Sequence, residues 1–157
     1  SKKKYLMELE DPESLINTLL EVVLSDPSQL HEAVPQVCAL AGDERTGARR
    51  GAARFLEVSC ATEPSHWPGA CAALATLLSD QDEATARRAC VAAGTLIRGA
   101  FAHVAAQPIG EVSGLRKQWS AVLALRDAVA VVAAAGGRAL GSGAQGQGEA
   151  ARPGVSA

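Results

Sequence analysis

Two arginine doublets, Arg49-Arg50 and Arg87-Arg88, are the residues whose type and spacing most clearly suggest chemistry. They lie in two similar stretches, TGARRGAARFL from residue 46 and ATARRACVAAGTL from residue 84, and an offset of 38 residues aligns them. Arginine presents a planar fork of donors that suits carboxylates and phosphates. The doublets therefore predict either a surface that binds anionic groups or a structural ion pair that recurs along the chain.

The composition weighs against nucleic acid binding and against the common kinds of catalytic site. The formal net charge is -2, and aromatic side chains, which would stack on bases, make up only 3% of the residues. His31, His66 and His103 have no acidic residue or cysteine at metal-ligand spacing, so we expect surface imidazoles. No glycine-rich phosphate motif is present. We expect no active site, no metal, no cofactor and no direct contact with nucleic acid.

The cysteines Cys38, Cys60, Cys71 and Cys90 lack CxxC spacing and fall at apolar helix positions. Such thiols behave as small hydrophobic groups, which predicts buried, structural cysteines in a reducing, intracellular compartment. We find no secretory signal, and the longest apolar run, residues 128–135, is far shorter than a bilayer span. The sequence therefore predicts a soluble protein with no membrane partner.

Helix signals recur with short gaps between them. Asp-Pro pairs at 11–12 and 26–27 start the first two helices, the first of them covering about 12–25, and Gln29 is placed to complete a capping box in the second. Later patterns predict helices over about 45–61, up to Leu78, after Asp82, and over about 115–135. Residues 1–11 are predicted to be an extension, 12–135 the folded domain, and 136–157 a Gly-rich disordered tail.

Short connections make neighbouring helices antiparallel, and the period near 38 residues favours three helical hairpins stacked as a HEAT or armadillo type α-solenoid. A compact all-α bundle is the competing architecture. In HEAT arrays, an aspartate in the turn pairs with an arginine early in the next helix. We therefore assign Arg49 and Arg87, with Asp43 and Asp82, to a ladder between repeats.

The second arginine of each doublet is then free for a partner protein. Together with other basic residues, these second arginines would form a basic strip on the surface. We expect such a strip to pair with acidic side chains or phosphate groups of a partner. For both tryptophans, packing between repeats is favoured over an exposed anchor, although an exposed Trp119 would dominate an interface. The candidate partner-binding residues are Arg50, Arg54, Arg88, Arg98, Arg116, Lys117 and Trp119.

The segment EVVLSDPSQLHEAVPQVCALAGDERTGARRGAARFLEVSC resembles two helices in the amino-terminal HEAT domain of the symplekin family. LATLLSDQDEATARRACVAAGTLIRGAFAHV is similar to that domain's next hairpin, and QWSAVLALRDAV to the helix after it. The resemblance implies a non-enzymatic nuclear scaffold for mRNA cleavage and polyadenylation. Its implied partners are 3′-end processing factors and a phosphatase of the RNA polymerase II carboxy-terminal domain. The alternative is a generic HEAT-repeat adaptor in transport or cytoskeletal assembly.

Overall fold

The computed structural model describes the backbone of residues 11–151 and the side chains of residues 11–136. Within these bounds helices alternate with short turns and no strand occurs, which confirms the all-α prediction. The helices are α1 Pro12–Ser25, α2 Leu30–Ala39, α3 Thr46–Ser59, α4 Trp67–Leu78, α5 Glu83–Ala105, α6 Ile109–Val112 and α7 Arg116–Ala151. Single 3-10 turns precede α2, α4 and α7, and another follows α2.

Aspartate side chains fix where several of these elements begin. Asp11 accepts a hydrogen bond from the Glu13 amide at the start of α1, and Asp82 accepts one from the Thr85 amide, 3.0 Å away, at the start of α5. These contacts satisfy amides that have no partner inside the helix. Asp26 caps the turn before α2, but Gln29 donates its side-chain amide to the Asp26 carboxylate, so the predicted capping box does not form.

The helices pack in two layers. In one layer, α1, α3 and α5 lie side by side in that order; in the other, α2, α4 and α7 do the same. The layers meet chiefly where α4 packs against α5. We call them the α1–α3–α5 layer and the α2–α4–α7 layer.

Small side chains allow the close approach within the α1–α3–α5 layer. A methyl group placed on Gly51 would lie 2.9 Å from the Cδ1 atom of Ile16 in α1, and one placed on Gly99 would lie 2.6 Å from the Cβ atom of Ala61. Both distances are below van der Waals contact, so a larger residue would have to displace the end of Ile16 at the first contact and the turn that carries Ala61 at the second. The core is completed by alanines and by fully buried large residues, among them Phe55, Leu56, Trp67, Leu74 and Leu96.

The last helix differs from its prediction. It was expected to end near residue 135, and it continues to Ala151. Residues 137–151 include alanine, glutamine, glutamate and arginine, which propagate a helix readily, between glycines that do not. Residues 1–10 and 152–157 lie outside the described residues, so the predicted extension lies almost wholly there. The predicted disorder of the Gly-rich tail stays a prediction.

One described stretch, Ile109–Gly136, is long and apolar enough to cross a bilayer when judged by length and composition alone. The mean hydropathy of its most apolar 18-residue window is 1.5, and 11% of that window is buried. This window is longer than the apolar run at residues 128–135 because it also includes two charged residues, Arg126 and Asp127. The expectation that the protein binds no membrane stays a prediction.

Candidate protein-interaction surface

Arg49 joins two turns of the chain. Its Nε atom donates to Asp80 Oδ2 at 2.6 Å, and Nη2 donates to Asp80 Oδ1 at 3.2 Å. The Nη1 atom donates to the carbonyl oxygens of Asp43 and Glu44 at 3.0 and 3.1 Å. Arginine offers five donors in a fixed fork, which lets one side chain hold the turn before α3 against the turn before α5. Arg49 is therefore a structural clamp.

Arg50 and Arg88 each tie one helix of the layer to the helix before it. The Nη1 atom of Arg50 in α3 lies 3.6 Å from the carboxylate of Glu13 in α1. Arg88 in α5 forms an ion pair with Glu57 in α3, and that carboxylate also accepts a hydrogen bond from Thr95, 38 residues away, at 3.3 Å. A glutamate–arginine pair thus recurs at both helix contacts of the α1–α3–α5 layer.

The predicted roles of the doublets are corrected by this geometry. Arg49 does join the turn before α3 to the turn before α5, but through the Asp80 carboxylate, because the Asp43 carboxylate is paired with Arg45. Arg50 is not free, since its Nη2 atom donates to the Asp82 carboxylate at 3.2 Å. Arg87, which was assigned to the ladder, is exposed and forms no ion pair with any described residue.

Helix geometry explains the exchange of roles in the second doublet. Arg88, Thr95 and Gly99 lie on the side of α5 that faces α3, where Arg88 finds Glu57. Each residue turns an α-helix by about 100°, so Arg87 points away from that contact. The two members of a doublet lie on different faces of a helix, and in α5 the alignment with α3 decides that Arg88 is the one that is paired.

The clamped carboxylates are held in their charged form. Hydrogen bonds from Arg49 are the main reason that the pKa of Asp80 is below its ordinary value. The pKa of Asp82 is lowered chiefly by the Thr85 hydroxyl and also by Arg50. Both groups therefore stabilise the fold above the ordinary aspartate pKa, and this contribution is lost as the pH falls through their lowered values.

The outward face of the α1–α3–α5 layer carries cations and exposed apolar side chains. Arg54 in α3 and Arg87 and Arg98 in α5 are exposed and form no ion pair with the described residues. Val58 is 45% exposed and Val91 is 52% exposed, each one helical turn after an unpaired arginine. We call this set, Arg54, Val58, Arg87, Val91 and Arg98, the layer face.

The remaining predicted residues lie at α7. Arg116 and Lys117 are exposed, and Trp119 is half-buried against Phe101, with ring centroids 4.7 Å apart. Arg116 and Trp119 line a common cavity. Lys117 precedes Trp119 by two residues, which places it about 200° around the helix from the tryptophan. The structure thus brings Arg116 and Trp119 together and separates Lys117 from them.

Trp67 is a core residue, as its helix position predicted. It is fully buried, and its indole Nε1 atom donates to the carbonyl oxygen of Cys60 at 3.0 Å. The edge-on ring of His103 lies against it, with centroids 5.7 Å apart. This tryptophan holds α4 against the end of α3.

His66 differs from the expected surface imidazole. It is 8% exposed, and its ring lies 4.8 Å from that of His31, although the two residues are far apart in sequence. Burial, and secondarily the charge of His31, lowers the pKa of His66 below 6.5. Among residues 11–136, no group of three or more potential ligand side chains is placed to hold a metal ion.

Cys60 and Cys71 are buried, as predicted, and burial raises their pKa to about 11 and about 12. A thiol with such a pKa is almost wholly protonated at neutral pH and is a poor nucleophile. Cys38 and Cys90 are half-buried, and all four thiols are free. These groups offer packing and no evident chemistry.

No protein-family model, curated protein or solved structure matches this chain. The resemblance to the symplekin family therefore rests on the quoted segments alone and stays a prediction. What the chain binds has to be argued from its own surface.

Sequence reasoning missed three members of that surface. Arg87 was assigned to pairing, and Val58 and Val91 were not singled out. A signal was available for the valines, because each falls three to four residues from an arginine and so shares its face of an amphipathic helix. Whether any of these residues binds a partner stays a prediction.

Proposed function

We propose that this chain is a non-enzymatic HEAT-type scaffold that binds other proteins through the layer face. The observation that carries the proposal is the pair of glutamate–arginine ties, Glu13–Arg50 and Glu57–Arg88, which join successive helices of one layer. A contact that recurs between neighbours is what stacked repeats require, because each repeat buries its apolar side only against the next. A compact bundle has no such requirement.

The layer face supports protein binding rather than another role. Its three arginines are exposed without acidic partners among the described residues, and two valines lie between them. Arginine beside apolar surface is typical of protein interfaces, where it pairs with carboxylates or phosphorylated side chains. The same face lacks exposed aromatic rings on which bases could stack.

The partners and compartment follow from the symplekin resemblance. On that basis the chain is a nuclear component of the cleavage and polyadenylation machinery for pre-mRNA. Its partners are 3′-end processing factors and a phosphatase of the RNA polymerase II carboxy-terminal domain. The layered helices support this proposal only as far as the architecture, since any helical-repeat adaptor would share it.

The test is affinity capture of the tagged chain from nuclear extract, followed by mass spectrometry. The proposal expects 3′-end processing factors or the phosphatase to be retained by the wild-type chain. It expects the double variant Arg54→Glu and Arg87→Glu to lose them, because both changes place negative charge on the layer face. A control for location, Gln36→Glu, adds one negative charge at an exposed position on α2 in the other layer.

Two outcomes would contradict the proposal in different ways. The chain could instead retain transport or cytoskeletal proteins, with the same dependence on Arg54 and Arg87. That result would support protein binding through the layer face but assign the chain to transport or cytoskeletal assembly instead of mRNA processing. Retention that survives the double variant and fails in the Gln36→Glu control would place the binding surface on the opposite layer.

A further inference from the structure

The side of α5 that faces away from α3 has no further helix of its layer packed on it within the described residues. Arg88, Thr95 and Gly99 face α3, whereas Ile97, Phe101 and Val104 lie on the opposite side. Phe101 is 42% exposed, and Ile97 and Val104 are half-buried. This end of the layer therefore presents apolar side chains to solvent.

Helix α7 supplies the second wall of this surface. Trp119 packs edge to face on Phe101, with an angle of 65° between the rings. Beside the pair lies a cavity of about 240 Å³ lined by Val104, Val112, Ser113, Leu115, Arg116 and Trp119. Leu123 follows Trp119 by one turn on the same side of α7 and is half-buried. We call the surface between α5 and α7 the end groove.

The charges around the end groove are three arginines and two exposed acidic residues, Asp127 and Glu111, the second of which precedes Val112 of the cavity lining. Arg98 is one turn from Phe101 in α5, Arg116 lines the cavity, and Arg126 lies two turns after Trp119 on the same side of α7. Arg98 and Arg116 form no ion pair with described residues. Arg126 lies 3.8 Å from the Asp127 carboxylate, but both side chains are mostly exposed, at 54% and 76%.

We propose that the end groove binds an amphipathic helix of a partner protein whose apolar stripe is flanked by glutamate or aspartate. The partner's apolar side chains would cover Ile97, Phe101 and Trp119, and its carboxylates would pair with Arg98 and Arg116. An apolar floor with an excess of positive charge at its rim favours a partner that is apolar in the middle and negatively charged at its edges. This inference rests on the proposed scaffold function and names the chemistry of one of its partners.

A second copy of the chain fits the end groove less well. A two-fold dimer uses the same surface patch on both copies, so the three arginines Arg98, Arg116 and Arg126 of each copy would be brought close to those of the other. Like charges facing each other oppose association. An acidic helix removes that repulsion and replaces it by attraction.

A lipid surface also fits less well. The fully buried side chains of α7, Val122 and Leu125, are committed to the core and cannot enter a bilayer without breaking it. Of the large apolar residues of α7 whose side chains the structure describes, only Val131 is strongly exposed, at 67%. The apolar surface left on α7 matches the narrow stripe of a docked helix.

The chain's own terminal segments do not fill the groove. Residues 137–157 contain one acidic residue, Glu149, and two arginines, with Leu140 and Val155 as the only large apolar side chains. Residues 5–10, YLMELE, do combine glutamates with apolar residues, but they adjoin the start of α1, two helices away from α5. Six residues extend for at most about 21 Å, and Phe101 lies a further 18 residues, or about 27 Å, along α5 from the end at which α1 begins.

The experiment selects binders from a displayed library of helical peptides about 18 residues long, which would extend for about 27 Å along the groove. Selection uses the full chain, and enriched peptides are then measured by fluorescence anisotropy at two salt concentrations. We expect enriched sequences with apolar residues at i, i+4 and i+7 and acidic residues beside them. Their affinity should fall about tenfold in Phe101→Ala and about tenfold in the Arg98→Glu, Arg116→Glu double variant.

The control for location is the double variant Arg54→Glu and Arg87→Glu, which carries the same charge change on the layer face and should bind the peptides within about twofold of wild type. Circular dichroism checks that each variant is folded. The wild-type salt dependence and the sequences of the selected peptides need no variant, so they test the proposal even if Phe101→Ala unfolds.

Several outcomes overturn the inference. One is the enrichment of neutral or basic peptides, and another is enrichment no stronger than that obtained with the Arg98→Glu, Arg116→Glu double variant. A third is sedimentation of the wild-type chain as a dimer that the Phe101→Asp substitution dissociates. Co-flotation with anionic phosphatidylserine vesicles that Phe101→Asp abolishes would assign the groove to lipid instead. If nuclear partners are captured through the layer face while no acidic peptide is selected, this inference fails and the scaffold proposal stands. If acidic peptides are selected but no nuclear partner is captured, this inference stands and the scaffold proposal fails.

Discussion

Two glycines of α5 provide a sharp test of how α5 meets α3, because their surroundings differ although they are only five residues apart. A Cβ atom at position 99 would lie 2.6 Å from the Ala61 Cβ atom, and one at position 94 would meet only the end of the Arg98 side chain at 3.2 Å. We therefore compare Gly99→Ala with Gly94→Ala.

The expected magnitudes follow from two opposing effects. In an exposed helix, replacing glycine by alanine gains about 1 kcal/mol of helix propensity. At position 94 that gain should appear nearly in full, because the Arg98 guanidinium can move aside. At position 99 the neighbour is an alanine Cβ atom next to the backbone, and the two atoms must separate by roughly 1 Å, which costs about 1–3 kcal/mol in a packed interior.

The turn that carries Ala61 resists that movement. The adjacent Cys60 carbonyl oxygen accepts a hydrogen bond from the buried Trp67 indole at 3.0 Å. Shifting the turn would stretch this bond or displace the tryptophan from the core. We therefore expect the free energy of unfolding of Gly99→Ala to fall below wild type by up to about 2 kcal/mol.

The assay is urea unfolding of the three proteins, followed by far-ultraviolet circular dichroism, with thermal unfolding as a second measurement. Gly94→Ala should be the most stable protein and Gly99→Ala the least, and their melting temperatures should differ by at least about 2 °C. Equal stabilisation by both substitutions would refute the reasoning, because it would mean that α3 does not approach α5 at Gly99.

Three further predictions concern the clamp, a buried imidazole and the thiols. Arg49→Met should lower the urea midpoint more than Arg45→Met, since only the first leaves a buried aspartate without its cation; equal midpoints would contradict the clamp. The wild-type chain should lose stability as the pH falls from about 7 to 5, because the lowered pKa of His66 makes the unfolded state the better proton acceptor. His66→Gln should reduce the dependence of the unfolding free energy on pH over this range. An unchanged pH dependence would mean that another group causes the loss of stability. In the native protein, iodoacetamide should modify Cys38 before Cys60, as mass spectrometry of timed samples would show, and early labelling of Cys60 would contradict its burial.

The helices were predictable because their signals are local. The Asp11-Pro12 start and the Asp82 cap work through atoms within three residues, so the sequence alone places them well. The extent of α3 was predicted for the same reason, since a helix over about 45–61 was expected and Thr46–Ser59 is observed. The end of α7 was not predictable, since alanine and glycine in its last third favour opposite states.

The pairing of the arginines could not be predicted, because it depends on how two helices are aligned. Arg88 meets Glu57 and Arg87 meets solvent only because α5 presents its Arg88 side to α3. If α5 were rotated about its axis by about 100°, the angle between neighbouring residues, Arg87 would face α3 and Arg88 would not. The surroundings of His66 were unpredictable for the same reason, since its neighbour His31 lies in α2, and the sequence does not show that α2 packs beside the turn that carries His66.

The layer face and the end groove both follow from the order α1, α3, α5 within one layer. The direct measurement is a methyl-labelled nuclear Overhauser spectrum of the full chain. We predict cross-peaks from the Ile16 δ1 methyl to Gly51 and from the Ala61 methyl to Gly99, where the structure brings these groups into contact. A folded protein that lacks both cross-peaks, or that connects Ile16 to residues of α5, would contradict the stacked layer and the surfaces derived from it.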